Sequence, residues 1–254
     1  PMSLCFLLRN VDVTTALLRD HIHHTGLHGQ SKHMGIYHAL QKLAEQGEDV
    51  PQFGGPWFNS TMQEDLICVN ITRAAANAAD RAQLTQAECR MREDAYKLVA
   101  LLRKLYPEFA KASIAEIAAQ GGVRETYHIR GLYTLSGADI LGGAPCADGV
   151  AFCSHPVDIH SAQDNTQTAQ YFDTPCPVPY RVMVAAGFDN LIAAGRCVSC
   201  VDEAYASMRV QGTCMAIGEA AGVAAAMRRE TGCAVTAVNT DDLRARLQKQ
   251  GAIV

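Results

Sequence analysis

The spacing of apolar and polar residues divides the chain into short strands and a few longer helices. Ser3 to Leu8 and Leu66 to Ile71 are apolar runs of strand length. Asp12 or Thr14 can cap a helix that begins near Thr15. Gly35 to Ala44 reads as a helix with Ile36, Leu40 and Leu43 on one face. Gly54 to Phe58 reads as a turn, and Thr72 to Asp80 as a loop. Thr85-Gln-Ala-Glu88 has the form of a capping box and opens a helix with an apolar stripe of Cys89, Tyr96, Val99, Leu102 and Leu105, closed at Pro107. Ser113-Ile-Ala-Glu116 repeats that form and favours a helix, although Gly121-Gly122 cuts the segment short. Val123 to Arg130 alternates and predicts a strand with Arg124, Thr126, His128 and Arg130 on one face. A short helix or turn begins at Ser136.

The C-terminal third is read in the same way. Asp158 and His160 share a face near a strand end, and Thr174 to Pro179 is a proline-stiffened connector. Leu191 to Ala194 predicts a buried strand opening into a turn at Gly195. A polar loop with Asp202, Glu203, Ser207 and Arg209 follows, and then a small-residue helix from Gly212 to Met227. Thr240 starts a last helix with Leu243 and Leu247 inward and Gly251 as its stop.

The candidate chemistry concentrates in the loop and helix after Arg209. Free N–H groups at Gly212, Thr213 and Cys214, together with the positive end of the helix dipole, make an anion site, and Gly218 and Gly222 allow close approach on one face. A buried Ala-rich core helix accounts for the same pattern. The helix is not a membrane span, because it holds Glu219 and is broken by glycines, whereas a span needs about 20 apolar residues. Arg124, His128 and Arg130 can bind an anionic substrate or stabilise developing negative charge, unless they form a solvated sheet face. His160 can act as a general acid or base oriented by Asp158, or it can be structural.

His21, His23, His24, His28, His33 and His38 crowd one region, but no acidic or cysteine ligand accompanies His21-x-His-His24 at close spacing. Cys197-Val-Ser-Cys200 is an isolated C-x-x-C with no second pair at zinc-ribbon spacing. Cys5, Cys68, Cys89 and Cys214 sit among apolar or helical residues, as buried thiols do. Ten scattered cysteines in an Ala-rich chain of 254 residues favour a reducing, cytoplasmic setting. A net charge of −4 with interspersed signs argues against a nucleic-acid footprint. Leu4 to Leu8 is too short for a signal peptide core and has no basic start.

Val178-Pro-Tyr-Arg-Val182, Asn190 to Ser199, Ala206 to Gly222, Gly122 to Tyr133 and His155 to His160 occur in an ordered series. This series resembles the C-terminal part of the FAD-dependent oxidoreductases of the glutathione-reductase-like superfold, in a succinate-dehydrogenase-like layout. The resemblance implies an α+β fold: a mixed-sheet substrate domain with packed helices over residues 1–178, a strand–loop–helix piece of the FAD-binding domain over 179–230, and a tail helix over 231–254. It implies a strand rather than a helix at Ser113, which is the reading adopted. It also implies that the Thr72–Asp80 segment passes close to the substrate.

The resemblance implies FAD as cofactor and hydride transfer between a small organic substrate and flavin N5. Gly195, Arg196, Ser207, Arg209, Gly212, Thr213 and Cys214 are then the cofactor-binding residues, and Arg124, Asp158 and His160 the catalytic ones. The family opens with a strand, a Gly-x-Gly-x-x-Gly turn and a helix. In this chain no two glycines are two residues apart, so that fingerprint is missing. The chain therefore reads as the C-terminal portion of a longer enzyme, inactive without a dinucleotide-binding domain. The alternative is a truncated, non-catalytic substrate-domain fragment that needs a separate dinucleotide-binding partner or self-associates. A third reading is a His/Cys metal-binding protein. None of these readings involves a nucleic acid or a membrane.

Overall fold

The structure is a computed structural model and describes residues 1–15, 34–142, 146–161 and 167–254. It is an α+β protein that divides into two compact units, 1–124 with 160–166, and 125–159 with 167–254.

The first unit is built on a four-stranded antiparallel sheet. β2 (Phe6–Arg9), β3 (Phe53–Ser60), β4 (Ile67–Thr72) and β5 (Ser113–Ile117) lie in the order β3-β4-β2-β5. Phe6, Leu8, Phe53, Phe58, Ile67, Val69 and Ile71 are buried with the apolar faces of α1 (Met34–Glu45) and α2 (Arg81–Leu105). β1 (Met2–Ser3) and β6 (Gly122–Val123) form a separate short pair.

Three expectations for this unit are corrected. Gly54 to Phe58 is strand, not turn, and the register shift between Phe53 and Trp57 accommodates its glycines and proline within β3. α2 starts four residues before Thr85, because Asp80 Oδ1 accepts from the amides of Ala82 (2.9 Å) and Gln83 (3.3 Å). Thr85 instead donates its hydroxyl to the Arg81 carbonyl, and Glu88 accepts from the Gly121 amide. With the helix set by Asp80, the buried stripe is Ala87, Met91, Asp94, Ala95, Leu98, Val99 and Leu102, while Cys89 and Tyr96 face solvent. Asp12 accepts from the Thr14 amide and hydroxyl; the helix expected from Thr15 and the cluster from His21 to His33 lie outside the described residues.

The second unit packs α5 (Gln211–Thr231) against β7 (Gly149–Cys153) and α6 (Thr240–Lys249). β7 pairs antiparallel with β10 (Cys176–Pro179), so the expected connector at Thr174 to Pro179 is largely a strand. β8 (Val157–His160) pairs with β9 (Gln167–Gln170). The helices α3 (Gly137–Gly142) and α4 (Asp202–Met208) complete it. The expected polar loop is thus mostly helix, with Asp202 and Glu203 in the first turn, where the helix dipole favours negative charge, and Ala204 to Met208 buried.

The strand predicted at Leu191 to Ala194 is a single bridge, Ile192 to Val184, followed by the 3-10 turn Gly195–Cys197; Leu191 is 43% exposed. The strand predicted at Val123 to Arg130 ends at Val123, where β1 offers only two residues for pairing. Glu125 Oε1 lies 2.8 Å from His128 Nε2. Residues three apart on a strand point to opposite faces, so that contact requires a bent backbone.

Candidate functional site

In the first unit the unusual feature is a buried cation. Arg73 follows β4 directly and is 1% exposed. Its Nη2 donates to Nδ1 of His160 at 2.9 Å. Gly54 lies against the guanidinium, and only a residue without a β-carbon fits there. An arginine can only donate hydrogen bonds, so Nδ1 of His160 is the acceptor and a neutral ring carries its hydrogen on Nε2. Arg124 is half-buried, and its Nη1 donates to the Pro1 carbonyl (3.1 Å) and the Ser3 hydroxyl (3.0 Å). It belongs with the β1–β6 pair rather than with a row of cations on a strand face.

In the second unit Arg209 caps the C-terminal end of α4. Its Nη2 donates to the backbone carbonyl of Asp158 (2.8 Å) and to Oδ2 of the same residue (3.1 Å). Ser207 is fully buried and bonds the His155 carbonyl and the Cys153 sulfur, so its hydroxyl serves the interior of the unit. His128 donates from Nδ1 to the Val198 carbonyl (2.8 Å) and packs edge-on against Tyr205. Cys200 of the C-x-x-C is buried, and burial, with the charges of Glu125 and Asp202, pushes its thiol up to about 12; Cys197 is exposed. A thiol that retains its proton at neutral pH is a poor nucleophile.

The start of α5 has the geometry of an anion site. Val210 supplies no side-chain cap, and the first bond of the helix runs from the Cys214 amide to the Val210 carbonyl (3.0 Å). The amides of Gln211, Gly212 and Thr213 therefore have no partner within the helix. Gly212, Gly218 and Gly222 are exposed and Gly195 half-buried, and at all four nothing lies within 4 Å of where a β-carbon would stand. Gly195 has a φ of +81°, which a side chain would strain. Arg196 is exposed, and its charge opposes the effect of burial on the Cys214 thiol, which nevertheless stays above its usual range. Thr213 is buried, and the Cys214 sulfur turns back toward the Met208 carbonyl (3.6 Å), so Gln211 and Gly212 are the exposed part of the first turn.

Two clefts also open among the described residues, one of about 580 Å³ beside Asp49, Arg90 and Asp94 and one of about 720 Å³ beside Val150, Ala216 and Leu247. Neither is lined by any of the candidate catalytic or cofactor-binding residues. Arg73 was missed by the sequence reading. Its signal was a lone charge between Ile71-Thr72 and Ala74-Ala75-Ala76.

In this α+β protein an open, glycine-bearing helix start and an exposed arginine together have the chemistry of an anion site. The chain matches the family described as FAD dependent oxidoreductase over residues 1–247, and it belongs to that family. Membership places it among FAD-dependent oxidoreductases and implies FAD as the cofactor. No curated protein and no solved structure matched the chain. Among the described residues no helix is long and apolar enough to cross a membrane, and no group of three or more His, Cys, Asp or Glu is placed to hold a metal ion.

Proposed function

We propose that this chain is the C-terminal portion of a FAD-dependent oxidoreductase that transfers a hydride between a small organic substrate and flavin N5. The observation that carries the reading is the first turn of α5, with partnerless amides and open space at Gly212. The residues present fit one end of a flavin: the amides of Gln211, Gly212 and Thr213 and the dipole of a 21-residue helix favour electron-rich carbonyls or an anion, while the expected Cys214 amide is already bonded to the Val210 carbonyl. Gly195 lets the backbone approach the ligand closely, and Arg196 supplies a positive charge for phosphate. FAD supplies the two-electron redox chemistry, and the protein binds and orients it.

The chain's other candidates are assigned within their own units. Arg209 holds Asp158 by both backbone and carboxylate, which fixes the end of α4 before α5 begins. His160, with Nδ1 accepting from Arg73, carries its hydrogen on Nε2, where it can be donated to a substrate oxygen. Arg124 is assigned to substrate charge. The ten free cysteines support a reducing, cytoplasmic setting.

A second reading follows from the absence of a Gly-x-Gly pair in the 254 residues. In it, adenosine and pyrophosphate are held by a dinucleotide-binding unit from outside this sequence, and the exposed Leu132, Phe188 and Leu191 are covered by that unit or by a second copy. Visible absorption of the purified chain, after mixing with excess FAD or FMN and removing unbound ligand, tests both readings. Retained flavin, with equal retention of FAD and FMN, is expected if the α5 end is the main contact made by this chain. Gly212→Val is expected to lower retention at least about tenfold, because the new side chain enters the ligand's space, with no loss of thermal stability. Retention unaffected by Gly212→Val would refute the assignment to α5. No retention by the folded wild-type chain would leave only the second reading.

A further inference from the structure

Cys153 and Cys176 stand directly opposite each other on β7 and β10, and both are buried. Opposed residues on an antiparallel pair project to the same face, with Cα atoms about 4.5 or 5.5 Å apart. A disulfide accepts Cα separations of about 4.4–6.8 Å, so either kind of pair lies within its range. Burial, and then the neighbouring Cys153, Asp139 and Cys146, push the Cys176 thiol up to about 12, and burial raises Cys153 as well, so exchange is slow from the closed sheet and proceeds when β10 lifts and one thiol meets solvent.

Both thiols have hydrogen-bond acceptors in the reduced state. The Ser207 hydroxyl bonds the His155 carbonyl, which only accepts, so Ser207 spends its one hydrogen there. The Cys153 sulfur, 2.7 Å from Ser207 Oγ, is therefore the donor in that pair. Cys176 has two carbonyl acceptors in reach of its one hydrogen, Asp139 at 3.3 Å and Pro177 at 3.4 Å. These bonds hold the reduced state and are lost in a disulfide, which makes the disulfide easy to reduce again. Access comes through β10, one strand of a two-stranded sheet. Its Pro177 and Pro179 have no amide to give the ladder, and its register breaks between Val178 and Pro179.

We propose that Cys153 and Cys176 form a redox-active dithiol that a small-molecule disulfide converts to a cross-strand disulfide. Two S–H bonds break and one S–S bond forms. The reagent's S–S bond is cleaved, takes up the two electrons and two protons, and leaves as two thiols. Oxidation takes the Cys153 hydrogen from Ser207, which lies in α4 two residues before Arg209. The state of the dithiol is thus reported to the segment that leads into α5.

The test is incubation of the folded full chain with oxidised glutathione, followed by alkylation of remaining thiols in denaturant, digestion and mass spectrometry. The expected product is a Cys153–Cys176 cross-linked peptide lighter by two hydrogens, with the other cysteines alkylated and the link reversed by dithiothreitol. Ser207→Ala, which removes the acceptor for the Cys153 hydrogen, should lower the glutathione disulfide concentration needed for half-oxidation by several-fold. Two alkylated thiols, a glutathione adduct without a cross-link, or a Cys146–Cys176 link in the wild-type chain would each overturn the proposal. So would a cross-link that forms only after the chain is unfolded.

Discussion

Gly54→Ala perturbs the buried Arg73 at a single point. A β-carbon at residue 54 would stand 2.4 Å from Nη2, 2.6 Å from Nε and 2.8 Å from Cζ of Arg73. Real β-carbons do not approach other atoms so closely, and Arg73, at 1% exposure, has no solvent to swing into. Gly54 is not among the glycines with positive φ, so alanine suits the backbone and the cost is steric. Forcing a methyl group into a packed interior costs about 1–3 kcal/mol. If the guanidinium gives way instead, it drops the bond to His160, and hydrogen bonds to charged groups contribute about 1.5–3 kcal/mol. The two outcomes are alternatives and do not add, so the expected loss is about 2–3 kcal/mol. Trp57, the only tryptophan, lies in the same strand, so urea unfolding followed by its fluorescence reads the first unit. In an Arg73→Met background the cost of Gly54→Ala should fall below about 1 kcal/mol, because a flexible thioether yields where a planar, bonded guanidinium does not. An equal cost in both backgrounds would refute the clash.

Two further outcomes concern carboxylates. Asp94 is 5% exposed, and its Oδ2 has no hydrogen-bond partner among the described residues, only Arg90 at 3.6 Å. Burial raises its pKa, with the charges of Arg90 and Lys97 opposing the rise. A folded pKa above the unfolded one means that stability falls as pH rises from the unfolded toward the folded value. Asp94→Asn should therefore stabilise the chain by about 1 kcal/mol at neutral pH and converge with wild type in acid, as read by thermal melts; a destabilised variant at neutral pH contradicts the reasoning. Asp148 has the opposite sign. Burial pushes its carboxyl up, but hydrogen bonds from Arg181 and Cys146 and the charge of Arg181 bring it below the usual range. That stability is complete above the unfolded pKa and is lost as pH falls through the folded pKa. Asp148→Asn should cost about 1 kcal/mol at neutral pH, a small figure because the Arg181 guanidinium is half-exposed, and the gap to wild type should close in acid. A gap independent of pH would show that the ion pair is not its source.

Local pattern was sufficient wherever an element is decided by its own residues. α1, α5, α6, β4 and the end of α2 before Pro107 fall where apolar period, caps and breakers put them. The α+β class and the FAD-dependent oxidoreductase family were legible from the ordered motifs, and so was the helix start at Gly212, because amides left over at a helix terminus are a property of any helix. Tertiary structure decided the rest. Ser113 to Ile117 carries a capping-box sequence yet is a strand, because β2 offers it a full ladder from Phe6 to Arg9. Val123 to Arg130 alternates yet leaves the sheet, because β1 offers partners for only two residues. Arg73 looked like part of a loop, and only the fold buries it against Gly54 and aims it at a histidine 87 residues away. Cys153 and Cys176 are 23 positions apart in the sequence (176 − 153 = 23), and strand register alone makes them neighbours. Helix ends and periodicities are set over a few residues of chain, whereas strand pairing, burial of charge and the meeting of distant side chains depend on partners that local sequence does not name.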